Sequence, residues 1–137
     1  MKDIYVVGAA LIEDGKILIT KRSSDRILGD LWEFPGGKIE AGEDEKQALI
    51  RELEEEFNDQ IQVGAKVATG VHAYDFGTIH LTVYLAKLLT KNFDLIAHSE
   101  IYWAKPEELL TLNWAEADIP AAQALSQMDL TEVKFDE

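Results

Sequence analysis

The sequence contains no cysteine, which excludes disulfides and thiolate metal sites. A chain without cysteine suits a reducing compartment, so a cytoplasmic location is expected. No apolar run approaches the roughly 18–20 residues that span a bilayer. The N-terminus, MKDIYVVGAALIEDGK, has an acid at its third residue and reads as a strand, not a signal peptide. Positive charge is scarce: 13 Lys and Arg stand against 26 Asp and Glu, a formal net charge of -13. Such a surface repels a phosphate backbone, so no nucleic acid polymer is expected as a partner. A small polyanion remains a possible ligand if divalent cations mediate. Internal repeats, low-complexity tracts and linkers are also lacking. The 137 residues, 47% of them hydrophobic, suit one domain with one sizeable core, taken as residues 1–137.

What is present is an irregular interleaving of strands and helices. IYVVGAALI and KILITKR are apolar, β-branched runs divided by EDG, a hairpin signal. SSDRILGDLWEFPGGKIEAGE reads as an extended loop with a short strand at LWEF, and long loops inside compact domains are often functional. A helix follows, with Asp44 as N-cap and Gln47 completing a capping box. Leu49, Ile50, Leu53 and Phe57 have the spacing of a core-facing stripe, and Asn58 suits a left-handed helix end. IQVGAKVATGVHAY and TIHLTVYLAKLL are further strands, and EIYWAK is a short one. PEELLTL reads as a short helix, and DIPAAQALSQM as a last helix for which Asp118 is a plausible N-cap. The expected fold is an α/β sandwich with a mixed sheet.

RELEEEF, residues 51–57, gathers Glu52, Glu54, Glu55 and Glu56 at the far end of the first helix. Like charges three and four residues apart repel by about 0.2–0.5 kcal/mol per pair, and carboxylates there also face the negative end of the helix dipole. At about 100° per residue, Glu52, Glu55 and Glu56 share one face and Glu54 points elsewhere. Three carboxylates beside a core face form a hard-oxygen set for Mg²⁺ or Mn²⁺, and such an ion would relieve the repulsion. An isolated glutamate run is otherwise a solvated acidic surface.

The context decides between these. GGKIEAGEDEKQALIRELEEEFND resembles the box of the Nudix hydrolases, G-x5-E-x7-R-E-U-x-E-E-x-G-U, over residues 37–59. Gly37, Glu43, Arg51, Glu52, Leu53, Glu55 and Glu56 match; Asn58 replaces the last glycine and Asp59 the final aliphatic. The likeness to the MutT-like and CTP pyrophosphohydrolase-like branch extends through KR before the loop, LWEFPGGKIE, and ADIP near the end. It implies a Nudix-type α/β/α sandwich with a loop–helix–loop catalytic motif. It also implies a Mg²⁺-dependent enzyme, with Mn²⁺ as substitute, that splits a nucleoside triphosphate into monophosphate and pyrophosphate, in nucleotide pool sanitation or in pyrimidine turnover.

Carried over by motif position, Glu55, Glu56 and the Gly36 carbonyl are metal ligands, and Glu52 is a ligand or the base that orients water. Arg51 holds the glutamates by ion pairs, and Glu43 stabilises the loop–helix junction. Gly36, Gly37 and Gly42 permit tight turns. Arg22 matches a phosphate-contacting arginine, with Lys21 a weaker candidate. The family's additional downstream glutamate falls on Ala97; Glu100 or Asp94 would have to substitute, unless each is simply exposed. Asp118 aligns with the base-reading position, where it would accept a hydrogen bond from cytosine or, protonated, read an oxidised purine such as 8-oxo-dGTP. Phe34, Trp32 and Trp114 are candidates for an aromatic wall or for the core. His72, His80 and His98 lack metal-ligand spacing. The remaining alternatives are an ADP-ribose-type substrate, a non-catalytic nucleotide sensor and an acidic interaction domain. The oligomeric state is a monomer or a homodimer.

Overall fold

The computed structural model describes residues 2–22, 29–90, 100–133 and 135. The strands are β1 (Asp3–Glu13), β2 (Lys16–Lys21), β3 (Trp32–Glu33), β4 (Gly36–Lys38), β5 (Ile61–Tyr74), β6 (Gly77–Leu88) and β7 (Glu100–Ala104). The helices are α1 (Glu45–Phe57) and α2 (Ile119–Ser126), with 3-10 segments at Pro106–Thr111, Glu116–Asp118 and Leu130–Glu132. PEELLTL thus winds as 3-10 helix. The strands form one mixed sheet. Its main path is β3-β2-β1-β6-β5, with β4 on β1 and β7 on β2. β1 runs parallel to β6 from the Asp3–Thr78 pair to Leu11–Ala86, and the remaining pairs are antiparallel.

The β1–β2 hairpin turns at Asp14 and Gly15, both at positive φ. β1 keeps β2 beside it only at residues 11–13 and takes β4 at residues 6–8. β2 likewise takes β3 at Thr20 and Lys21. Because β6 and β7 occupy the opposite edges, β1 and β2 must splay, and β3 and β4 fill the wedge. The sequence reading gave this stretch one short strand; β4 escaped it because Gly-Gly-Lys carries no β-branched signal. The wedge brings the 34–37 backbone to the middle of the sheet.

Alternation along the strands divides the core into two layers. Val7, Ala9, Leu11 and Leu18 pack with Ala48, Leu49, Leu53 and Phe57 of α1. Ala10, Ile17, Ile19 and Val83 pack on the other face with Leu109, Trp114, Ala121 and Leu125. The α/β sandwich with a mixed sheet is as expected. Each fully buried leucine or phenylalanine contributes about 1.5–3 kcal/mol. Ile50, assigned to the core stripe, is 40% exposed, and Ala48 takes the inward place beside Leu49. Among the described residues no helix is long and apolar enough to cross a membrane.

Candidate active site

Helix α1 begins as its sequence dictates. Asp44 accepts from the Gln47 N–H at 2.8 Å, and the Gln47 side chain accepts from the Asp44 N–H at 3.0 Å. It ends at Asn58, whose φ of 53° is left-handed. Asp59 then anchors the exit: its Oδ1 accepts from the Gln60 N–H and the Thr90 hydroxyl, each at 2.8 Å. That explains how an aspartate stands where the motif has an aliphatic. It is buried, but its acceptor capacity is used.

The charge at the end of α1 is answered by Arg51. Its Nε and Nη2 grip the two Glu43 oxygens at 2.7 and 3.0 Å, and Nη1 donates to Glu52 at 3.2 Å and Glu55 at 2.9 Å. Nη2 also donates to the Lys38 carbonyl, 3.0 Å away. Glu43 closes the preceding loop by accepting from the Glu40 N–H at 2.9 Å. Here the relief that the sequence reading gave to a cation is supplied first by a guanidinium. Among the described residues no three carboxylate or imidazole side chains converge closely enough to enclose an ion as they stand.

The hydrogen bonds of Arg51 hold the Glu43 carboxyl below its usual value. Burial lifts Glu52 above its own, against the opposing pull of Arg51. The glycines serve a close approach here, not the tight turn expected. Gly36 and Gly37 lie in β4 without positive φ. A Cβ on Gly36 would sit 1.9 Å from the Val7 carbonyl oxygen, and one on Gly37 would sit 2.2 Å from the Glu52 carboxyl carbon. Of Gly36, Gly37 and Gly42, only Gly42 has a left-handed φ, +85°.

Beside this network opens a cavity of about 440 Å³, within the usual size range for small-molecule sites. Glu52 and Glu56 line it beside Gly36 and Gly37, Asp118 lines it beside Phe34, and Arg22 is also on its wall. Glu56 buries its Oε2. Glu55 is more peripheral, 58% exposed and tied to Arg51. Arg22 pairs with Glu33 at 3.2 Å. Asp118 is 6% exposed and does not cap α2 through its side chain. Its Oδ1 accepts from the Phe34 N–H at 3.0 Å, and burial pushes its carboxyl well above the usual value, with Glu33 adding to the lift.

The other candidates are placed as follows. Phe34 stacks on Trp114 at 4.8 Å, and Trp114 donates its indole N–H to the Leu109 carbonyl at 2.7 Å, as a core residue does. Trp32 packs against Tyr102 and under Lys21 instead of on the cavity. Lys21 also pairs with Glu100 at 3.5 Å, so neither lines the cavity. His72 and His80 pair with Glu116 and Asp3, each at 2.9 Å. Asp94, Ala97 and His98 lie outside the described residues. Sequence reasoning missed Glu33, Tyr74 and Phe76, all on the cavity wall. The aromatic spacing of HAYDF was the one local signal for the last two.

The family model described as NUDIX domain matches residues 6–124. The chain belongs to the NUDIX family. This NUDIX chain is 39% identical over 124 residues to the CTP pyrophosphohydrolase of Escherichia coli K12, covering 90% of this chain and 92% of that one. It is 47% identical over 57 residues to the 8-oxo-dGTP diphosphatase of the same organism, covering 41% and 44%. Among solved structures, the MutT protein of the Nudix hydrolase family from methicillin-resistant Staphylococcus aureus 252 superposes with a TM-score of 0.76. That pair is 48% identical, over 91% of this chain and 96% of that one. The NUDIX chain is a hydrolase, and its sandwich is that of the family.

Proposed function

We propose that this NUDIX domain, read as residues 1–137, is a Mg²⁺-dependent nucleoside triphosphate pyrophosphohydrolase releasing monophosphate and pyrophosphate. The base is cytosine first and an oxidised purine second, and Mn²⁺ substitutes for Mg²⁺. The observation that carries this reading is one cavity lined both by α1 carboxylates and by a buried carboxyl. A triphosphate needs the first and a base suits the second.

The donor set, carboxylates plus a backbone carbonyl, fits a hard divalent ion. Glu55, Glu56 and the Gly36 carbonyl would hold it, and Glu52 either joins them or takes the proton of the attacking water on its carboxylate. When bound, such an ion would supply Lewis-acid chemistry, offsetting the negative charge of the phosphates. Arg51 fixes the rotamers of Glu52 and Glu55 so that little reorganisation is left for the reaction. Arg22, on the cavity wall, attracts the phosphate chain. Phe34 gives the base an apolar face.

Asp118 reads the base. Burial favours the neutral form of its carboxyl, and that form has one O–H donor beside the oxygen that accepts from Phe34. An acid of this kind pairs with an acceptor next to a donor. Cytosine offers that combination at N3 and N4, and 8-oxoguanine offers it at O6 and N7, whereas guanine has two acceptors there. The likeness to the CTP pyrophosphohydrolase over 90% of the chain favours cytosine. The shared edge chemistry keeps the oxidised purine as the second reading. A nucleotide substrate in a cytoplasmic setting follows, with the protein a monomer or homodimer.

The test is pyrophosphate release from a panel of normal and oxidised triphosphates with Mg²⁺. Glu55→Gln is expected to abolish turnover, and Asp118→Asn to change the order of preference. Binding without turnover in the native protein would make it a sensor instead. An unchanged preference order in Asp118→Asn would remove the base-reading role.

A further inference from the structure

The turn that carries Asp118 is gripped from one side by alternate residues of β5. Gly70, His72 and Tyr74 share the inward face of that strand, while Val71 and Ala73 face out. Tyr74 Oη accepts from the Ala117 N–H at 3.1 Å. His72 Nε2 lies 2.9 Å from Glu116 Oε2. Gly70 lets the turn approach its backbone: a Cβ there would fall 2.1 Å from the Ala117 carbonyl oxygen. Three consecutive turn residues, 116–118, are thus fixed by the row and by the bond from Phe34 to Asp118. Tyr74 is braced in turn, stacked on Phe76 at 5.2 Å with His72 edge-on at 4.6 Å.

Resting on the base-reading role given to Asp118, we propose that this β5 row sets the choice between pyrimidine bases, with Tyr74 as a positioning residue. Cytosine and uracil both present a donor beside an acceptor, but in opposite order. A buried carboxyl therefore separates them only if its two oxygens are held in place. The Phe34 N–H fixes which oxygen accepts. The β5 row fixes where both oxygens stand relative to the α1 carboxylates. Loss of one anchor lets the carboxyl shift to meet either base.

Tyr74→Phe tests this, since it keeps the ring and its stacking and removes only the hydroxyl that accepts from the Ala117 N–H. The readout is the ratio of kcat/KM for CTP to that for UTP, in the full chain with Mg²⁺. The ratio should fall about fivefold, the worth of one neutral hydrogen bond, mainly through a higher KM for CTP. His72→Leu, which removes the contact to Glu116 from the same row, should move the ratio the same way. In an Asp118→Ala background Tyr74→Phe should no longer change it, because no base-reading side chain remains to be positioned. An unchanged ratio in Tyr74→Phe and His72→Leu, or an equal fall with and without Asp118, overturns the clamp while leaving the base-reading role intact. If Asp118→Asn by itself leaves the ratio unchanged, the base-reading role falls and the clamp with it.

Discussion

Replacing Arg51 by glutamine removes the charge that organises the carboxylates and keeps a good helix former at the position. The guanidinium makes five hydrogen bonds, two to Glu43 and one each to Glu52, Glu55 and the Lys38 carbonyl. Its side chain is 26% exposed, so solvent screening is partial. Partly screened ion pairs contribute about 0.2–1 kcal/mol each, and the paired fork on one carboxylate places the total near the upper end, about 2–3 kcal/mol. For a chain of this size 1 kcal/mol moves the thermal midpoint by roughly 3–5 °C, so the expected fall is about 6–15 °C at low salt. The variant leaves crowded carboxylates without their guanidinium. Millimolar Mg²⁺ should therefore restore part of the loss, and raise the midpoint more in the variant than in the native protein. Scanning calorimetry with and without Mg²⁺ reads both effects. A fall under about 2 °C, or an equal Mg²⁺ shift in the two proteins, would refute the assignment of Arg51 as the group that offsets the repulsion.

Gly37→Ala drives a methyl into the Glu52 carboxyl, a movable side-chain end, and should cut kcat about a hundredfold with little loss of thermal midpoint. Gly36→Ala meets the Val7 carbonyl instead and should cost fold stability in the same melt. Asp118 adds a pH signature. Its folded carboxyl is raised above the unfolded value, so the folded chain keeps a proton that the unfolded chain has released. That contribution is complete below the ordinary aspartate range, falls as pH rises above it, and is gone once pH passes the raised value. The stability difference between native protein and Asp118→Asn, from denaturant titrations without metal, should decline over that window. A flat difference would mean the carboxyl is not buried as described.

The local signals were legible because they are local. The Asp44–Gln47 box, the Asn58 stop and the Arg51–glutamate network lie within one segment, and neighbouring residues determine each. Ile50 was misjudged because a stripe of leucine and phenylalanine leaves room for a small inward residue, and Ala48 fills it. Asp118 looked equally like a helix cap, since Ile-Pro-Ala-Ala follows it. Only the arrival of the Phe34 backbone, distant in sequence, turns its carboxyl inward. Glu33 and Tyr74 join the wall through sheet register, which no short window contains, and Phe76 joins it from the turn between β5 and β6.

The parallel pairing of β1 with β6 bears on when the protein can first act. Asp3 finds its partner at Thr78, and Leu11 finds its own at Ala86. Closing so long a loop delays the contact, because chain entropy is lost before the ladder returns any energy. During synthesis β1 must wait for the whole stretch through β6 before its parallel neighbour exists. The hydrolytic centre cannot ripen segment by segment, and a nascent chain stalled before β6 carries the whole glutamate motif with no catalytic competence.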